Sequence, residues 1–168
     1  KILDIGTGSG NIPIALAKNI SGADITTIDI SDKAIDMAKE NAILNGTESN
    51  IKFVHMDIAD FNSNGYLFDV IVSNPPYISA EEYPNLQPDI TQYEPSIALT
   101  DSGDGLRFYR LISERSKYLL KKGGSIYFEL GKGQHEDVQN ILSENNFTNI
   151  NIIKDYQQIE RVISGEML

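Results

Sequence analysis

Two short stretches hold residues whose types and spacing could do chemistry. The first is Asn74-Pro75-Pro76-Tyr77, which follows the hydrophobic run Phe68–Ser73. A planar amide or an aromatic amine is a poor nucleophile, because its lone pair is delocalised. Alkylating such a nitrogen needs two acceptors that hold the NH2 group and aim it. The Asn74 side-chain oxygen offers one. The Pro75 carbonyl offers the other, its direction fixed by the proline rings of Pro75 and Pro76. Tyr77 can stack on the flat face of the target group. No strong base is required, since an alkylated nitrogen sheds its proton easily. His55 and His135 are the two histidines. One falls in a strand pattern and one near a helix start, and neither is expected to be catalytic.

The second stretch is Asp4-Ile5-Gly6-Thr7-Gly8-Ser9-Gly10, between a strand pattern and a helix pattern. Its glycines let the backbone turn sharply and let a ligand approach closely. The dinucleotide fingerprint G-x-G-x-x-G fails, because Asn11 stands where its last glycine belongs. No phosphate-binding Lys follows, so it is not a P-loop. Asp29 ends the second strand pattern, where an acid can accept both hydroxyls of a ribose. Asp57, after the third, could meet the exocyclic amine of an adenine. Glycines and carboxylates around a nucleoside, with no phosphate binder, suit S-adenosyl-L-methionine, which carries an adenosine and a cationic sulfonium. The candidate cofactor set is Asp4, Gly6, Thr7, Gly8, Gly10, Asp29, Ile30, Asp57 and Asn74. The candidate acceptor set is Asn74, Pro75, Pro76 and Tyr77, with Asn74, Pro75 and Tyr77 as its catalytic members. The spacing points to no metal.

These residues need a scaffold that brings strand ends together. Short β-branched runs at Ile2–Ile5, Ile25–Ile30, Ile51–His55, Phe68–Ser73 and Ser125–Leu130 predict strands buried on both faces of a parallel sheet. Helical patterns lie between them: 11–20, with Pro13 in its first turn; 31–45, capped by Ser31 and stopped by Gly46; 106–120; and a last one around Val138, Ile141 and Leu142. Ala34, Met37, Ala38 and Ala42 form the expected apolar stripe of the second helix. Ile150–Lys154 and Arg161–Gly165 predict an antiparallel hairpin. The expected fold is α/β: a Rossmann-like, seven-stranded sandwich, mainly parallel, with that hairpin at the C-terminus. Residues 74–104 show no periodicity and contain five of the six prolines. A long aperiodic segment rich in Pro and Tyr is expected to be functional and ordered.

The whole chain narrows the classes. Its 168 residues, 40% hydrophobic, suit one domain. No run of about 18 apolar residues predicts a membrane span. There are no cysteines, which excludes disulfides and fits a cytoplasmic protein. The net charge of −10 argues against direct nucleic-acid binding. The chain opens at Lys1 already in a strand pattern, which suggests a fragment whose upstream part is missing.

With these residues placed, the chain resembles the class I S-adenosylmethionine-dependent methyltransferases. Asn-Pro-Pro-Tyr is shared among amino-group methyltransferases acting on adenine, guanine and protein glutamine. Further segments are similar to the release-factor glutamine methyltransferases, the PrmC/HemK family. They are Tyr93-Glu94-Pro95-Ser96-Ile97-Ala98-Leu99, Gly103–Arg110, Phe128-Glu129-Leu130-Gly131 with Gln134, and Lys154-Asp155 followed by Glu160-Arg161-Val162. The resemblance covers essentially all 168 residues. It implies methylation of the glutamine amide in the Gly-Gly-Gln motif of peptide chain release factors, with S-adenosyl-L-homocysteine as product. It implies that Gly6, Gly8, Gly10 and Asp29 hold the cofactor and that Asn74, Pro75 and Tyr77 hold the glutamine. Family members usually carry an N-terminal helical docking domain, absent here. Gln157–Glu160 also replaces their usual Gly-containing turn.

Other readings differ at particular residues. A DNA or RNA amino-group methyltransferase would use the same corner but want a basic groove. A nicotinamide oxidoreductase would need the glycine that Asn11 replaces. A binding module that keeps the fold would have no need of an amide-orienting pair.

Overall fold

The computed structural model describes residues 1–168. The β-branched runs form strands β1 (Ile2–Ile5), β2 (Ile25–Asp29), β3 (Ile51–His55), β4 (Phe68–Ser73), β5 (Leu120–Glu129), β6 (Phe147–Lys154) and β7 (Glu160–Met167). They pair in one seven-stranded sheet, ordered β3-β2-β1-β4-β5-β7-β6. β3, β2, β1, β4 and β5 run parallel, while β7 is antiparallel to both β5 and β6. The helices are α1 (Asn11–Asn19), α2 (Asp32–Asn45), α3 (Pro88–Tyr93), α4 (Ser96–Leu99), α5 (Arg107–Leu119) and α6 (His135–Glu144).

Strand side chains alternate between two cores. Leu3, Ile5, Ile71, Ile126 and Phe128 face one, covered by Tyr109 and Ile112 of α5 and by Val138 and Leu142 of α6. Ile2, Ile25 and Ile51 face the other, against Ile14 of α1 and Ala42 of α2. Tyr109 is fully buried and meets Phe128 edge-on at 5.2 Å, a contact worth about 1 kcal/mol beyond its area.

Ser31 caps α2 by accepting from the Ala34 N–H, and Gly46 ends it in the left-handed conformation, as expected. The buried stripe of α2 is Ile35, Ala38 and Ala42. Met37 is 52% exposed, because it lies off that three-and-four spacing. β5 begins earlier than Ser125: Leu120 already pairs with Phe68, and the register shifts before Val70 meets Ser125. The Lys121–Gly124 stretch has no strand pattern, so periodicity conceals this start.

The aperiodic segment is ordered by short elements. Tyr83–Asn85 form a 3-10 turn, and α3 and α4 have 6 and 4 residues. Pro88 begins α3 and Pro95 precedes α4, where a missing N–H breaks no helical bond. The segment closes on itself through Ile78 N–H to the Leu99 carbonyl and Ala80 N–H to the Gly103 carbonyl.

Candidate active site

The register brings the two chemical stretches together. Ile5 pairs with Ile28 on one side and Ser73 on the other. Gly6 therefore leaves the sheet between Asp29 and Asn74, at the C-terminal edge where open α/β sheets bind ligands. The Ser73 hydroxyl donates to the Ile5 carbonyl at 2.7 Å and ties the two strand ends.

The glycine loop is held from three directions. Gly6 N–H donates to the Ile28 carbonyl at 2.9 Å. Gly8 N–H donates to Asp29 Oδ2 at 3.0 Å, while Asp29 Oδ1 accepts from Ser31 N–H at 2.8 Å. Asn41 on α2 donates to the Ser9 carbonyl at 2.8 Å. Gly8 has φ +54°, and a Cβ there would point into open space. Gly10 has φ +85°, and a Cβ there would lie 3.0 Å from the Ala38 side chain. Gly10 thus serves loop-to-helix packing, and Gly8 keeps the loop surface open.

Asp4 lies beneath this loop, fully buried, on the face shared with Thr27. The Thr27 hydroxyl donates to Asp4 Oδ2 at 2.6 Å. Burial pushes the Asp4 carboxyl up to about 6, partly offset by the Thr27 and Thr7 hydroxyls. The Thr7 hydroxyl lowers that value without meeting hydrogen-bond geometry. Asp4 Oδ1 and Thr7 Oγ1 are both buried without a partner. Ile30, beside Asp29, is 51% exposed. Asp57 is half-buried beyond the end of β3, and its Oδ1 accepts from Ala59 N–H at 2.8 Å. His55 Nε2 lies 2.9 Å from the Ile30 carbonyl. It stands three strands from β4, about 14 Å at the usual spacing. That distance removes it from chemistry at Asn74.

At the acceptor corner, Asn74 is exposed and its amide makes no hydrogen bond, whereas Pro75 is buried. Tyr77 is half-buried and packs against the main core. Its hydroxyl is pushed above the usual tyrosine range, first by burial and then by Glu129, with Glu94 adding and Arg161 opposing.

Three residues important to this geometry had no assigned role in the sequence. Gln134 donates from Nε2 to the Tyr77 carbonyl at 2.9 Å. The Tyr109 hydroxyl donates to the Glu129 carbonyl at 2.8 Å, with Gln134 Oε1 at 3.4 Å. Asp101 is buried and accepts from Gly103, Gly105 and Arg107 N–H groups at 2.7, 3.0 and 3.0 Å. The Asp-Ser-Gly-Asp-Gly run was the available signal for Asp101, since Asp favours such turns. The Tyr109 and Gln134 contacts span 20 to 57 residues and leave no local trace.

Residues 1–164 match a family model described as a methyltransferase domain. The chain is 48% identical over 162 residues to a protein of Fusobacterium nucleatum named release factor glutamine methyltransferase; the match covers 96% of the chain and 46% of that protein. A protein of the same name from Flavobacterium psychrophilum is 41% identical, over 97% of the chain and 57% of its own length. The chain thus spans about half the length of these curated relatives. A SAM-dependent O-methyltransferase from Thermotoga maritima has a similar fold, with a TM-score of 0.72 at 14% identity, over 99% of the chain and 58% of that structure. The strand order, the glycine loop and the family match agree, and the chain belongs to the methyltransferase domain family.

Proposed function

We propose that this chain is the catalytic domain of a protein-glutamine N-methyltransferase. It would methylate the side-chain amide of the glutamine in the Gly-Gly-Gln motif of peptide chain release factors. The observation that carries this reading is the exposed, unpaired amide of Asn74 beside the glycine loop, in a chain 48% identical to a relative of that name.

The residues present fit S-adenosyl-L-methionine. The Gly8 position faces open space, and each Asp29 oxygen accepts only one hydrogen bond, leaving acceptor capacity for ribose hydroxyls. No Lys or Arg occurs from Asp4 to Ala17, so no side-chain cation there pairs with a pyrophosphate. When bound, the cofactor supplies an electrophilic methyl group on a sulfonium and leaves as S-adenosyl-L-homocysteine. Gly6, Thr7, Gly8, Asp29 and Ile30 would form its cradle, Gly10 would seat the loop on α2, Asp57 would take the adenine side, Asn74 would lie by the sulfonium, and Asp4 would support the loop from below.

Asn74 Oδ1 and the Pro75 carbonyl each accept one N–H of the target amide, so the nitrogen lone pair points at the methyl. Tyr77 lies along the flat face of the amide, and Pro76 stiffens the turn. The amide nitrogen gains the methyl and releases one proton. Positioning of this kind is worth roughly 7–11 kcal/mol when the reacting atoms are held in line.

Release factors are the proposed partners, and the cytoplasm, where translation factors work, is the proposed location. No helix is long and apolar enough to cross a membrane. Direct nucleic-acid binding is disfavoured by the −10 charge and by the lack of any Lys or Arg from Asn74 to Leu106. The remaining length of the relatives would carry the docking of the release factor.

The test offers methyl-labelled cofactor to the full-length protein with an intact release factor, the same factor with its motif glutamine replaced, and duplex DNA with ribosomal RNA. Label on the intact factor alone is expected. Label on nucleic acid would overturn the substrate and leave the chemistry of the corner standing.

A further inference from the structure

The corner that aims the amide is packed through Pro75 and Tyr77 but has almost no hydrogen bonds to fix its direction. Across Asn74–Tyr77 a single hydrogen bond is made, the one from Gln134 Nε2 to the Tyr77 carbonyl. Pro75 and Pro76 have no N–H to donate. The next anchors are Ser73 before the corner and Ile78 after it. Loops gain rigidity from such bonds, and a bond at the Tyr77 carbonyl restrains the chain two residues beyond the Pro75 carbonyl.

Two glycines leave room for this contact. A Cβ at Gly105, where φ is +78°, would lie 2.4 Å from the Tyr77 carbonyl oxygen and 2.9 Å from Gln134 Nε2. A Cβ at Gly131 would lie 2.4 Å from Gln134 Oε1 and 2.9 Å from the Tyr77 ring. Gln134 occupies the N-cap of α6, yet its side chain makes no capping bond. Its amide is committed to the corner, with Oε1 beside the Tyr109 hydroxyl that also holds the end of β5.

We propose that Gln134 is a positioning residue for the methyl transfer, acting through the Tyr77 carbonyl to fix the direction of the Pro75 carbonyl and Asn74. The proposal rests on the acceptor role given to that corner above. The Gln134 side chain has its contacts with the Tyr77 carbonyl and the Tyr109 hydroxyl.

The test compares wild type with Gln134→Met, which keeps length and removes the donor, and Gln134→Glu, which keeps size and sets an acceptor against a carbonyl. Both are measured in the full-length protein. Maximal turnover on a release factor should fall about 10- to 100-fold, the scale expected for a small misplacement of reacting groups. Cofactor affinity, by titration calorimetry, should stay within about threefold, and Gln134→Met should add little in an Asn74→Ala background. Turnover within about twofold of wild type would overturn the proposal, as would equal losses of turnover and cofactor affinity. If wild type methylates no glutamine, the proposed function fails separately. Gln134 is then judged by hydrogen exchange at the Ile78 amide, expected to quicken about tenfold in Gln134→Met. Unchanged exchange there would overturn it.

Discussion

Asn74 and Asp29 flank Gly6 on opposite sides, so their duties can be separated by substitution. Asn74→Ala should lower turnover about 100-fold and leave cofactor affinity within about threefold, since its amide is free of internal bonds. Asp29→Ala should weaken cofactor binding about 10- to 100-fold, because the same carboxylate also fixes Gly8. Calorimetric titration beside single-turnover rates checks both, and unchanged affinity in Asp29→Ala would remove its ribose role. Asp4 adds a pH signature. Its carboxyl is raised from 3.8 to about 6. Between those values the folded chain keeps a proton that the unfolded chain has lost. Stability from this group is therefore present at low pH and falls as pH rises to about 6, by about 3 kcal/mol in all. Asp4→Asn escapes that cost. Its stability relative to wild type should improve by about 1.4 kcal/mol from pH 5 to pH 7 in urea unfolding. A gap independent of pH would mean the carboxyl is not strained by burial.

Elements add constraints that single residues do not carry. The turn between β6 and β7 departs from the Gly-containing pattern the family resemblance implies, yet it closes. Gln158 takes φ +63°, and Asp155 accepts from Gln157 and Ile159 N–H groups and from Arg161 Nε. A side chain in the left-handed region costs about 1–2 kcal/mol, partly regained as lower unfolded-state entropy. Gln158→Gly should raise stability by about 0.5–1 kcal/mol without changing turnover, measured by thermal and urea unfolding. Asp101 is the opposite case, a residue whose loss should loosen an element. Its three backbone partners knit the turn before α5 to the segment that returns from the corner. Asp101→Ala should cost about 2–3 kcal/mol and quicken proteolysis between residues 78 and 104. These elements also show where pattern reading stops. α1, α2, α5 and α6 are long enough to repeat an apolar stripe; their patterns mark the first three within about two residues at each end and the last by Val138, Ile141 and Leu142, without bounds. α3 and α4 span fewer than two turns and carry no stripe, so only the chain's closure around them makes them helical.

At the scale of the molecule, the chain spans about half the length of its curated relatives, and cofactor binding and substrate capture should separate accordingly. The 168 residues alone should bind S-adenosylmethionine about as tightly as the full-length protein, because the glycine loop and Asp29 lie within one sheet edge. On the proposed reading they should methylate a release factor at least about tenfold more slowly, since positioning two proteins costs freedom that contacts outside these residues would offset. Equal rates for both would place all substrate recognition inside these residues. What the sequence determined by itself was local. Period-two and period-3.6 patterns, cap residues and glycine spacing marked the seven strands, the long helices, the glycine loop and the Asn-Pro-Pro-Tyr corner, because each is set by neighbours a few residues away. What only the tertiary structure decided was distant. Burial of Asp4 under the loop and the grip of Gln134 on Tyr77 depend on strand order and on two glycines that let chain segments touch. Such contacts join residues far apart in sequence. Their energies arise from desolvation and close approach, which no local pattern encodes.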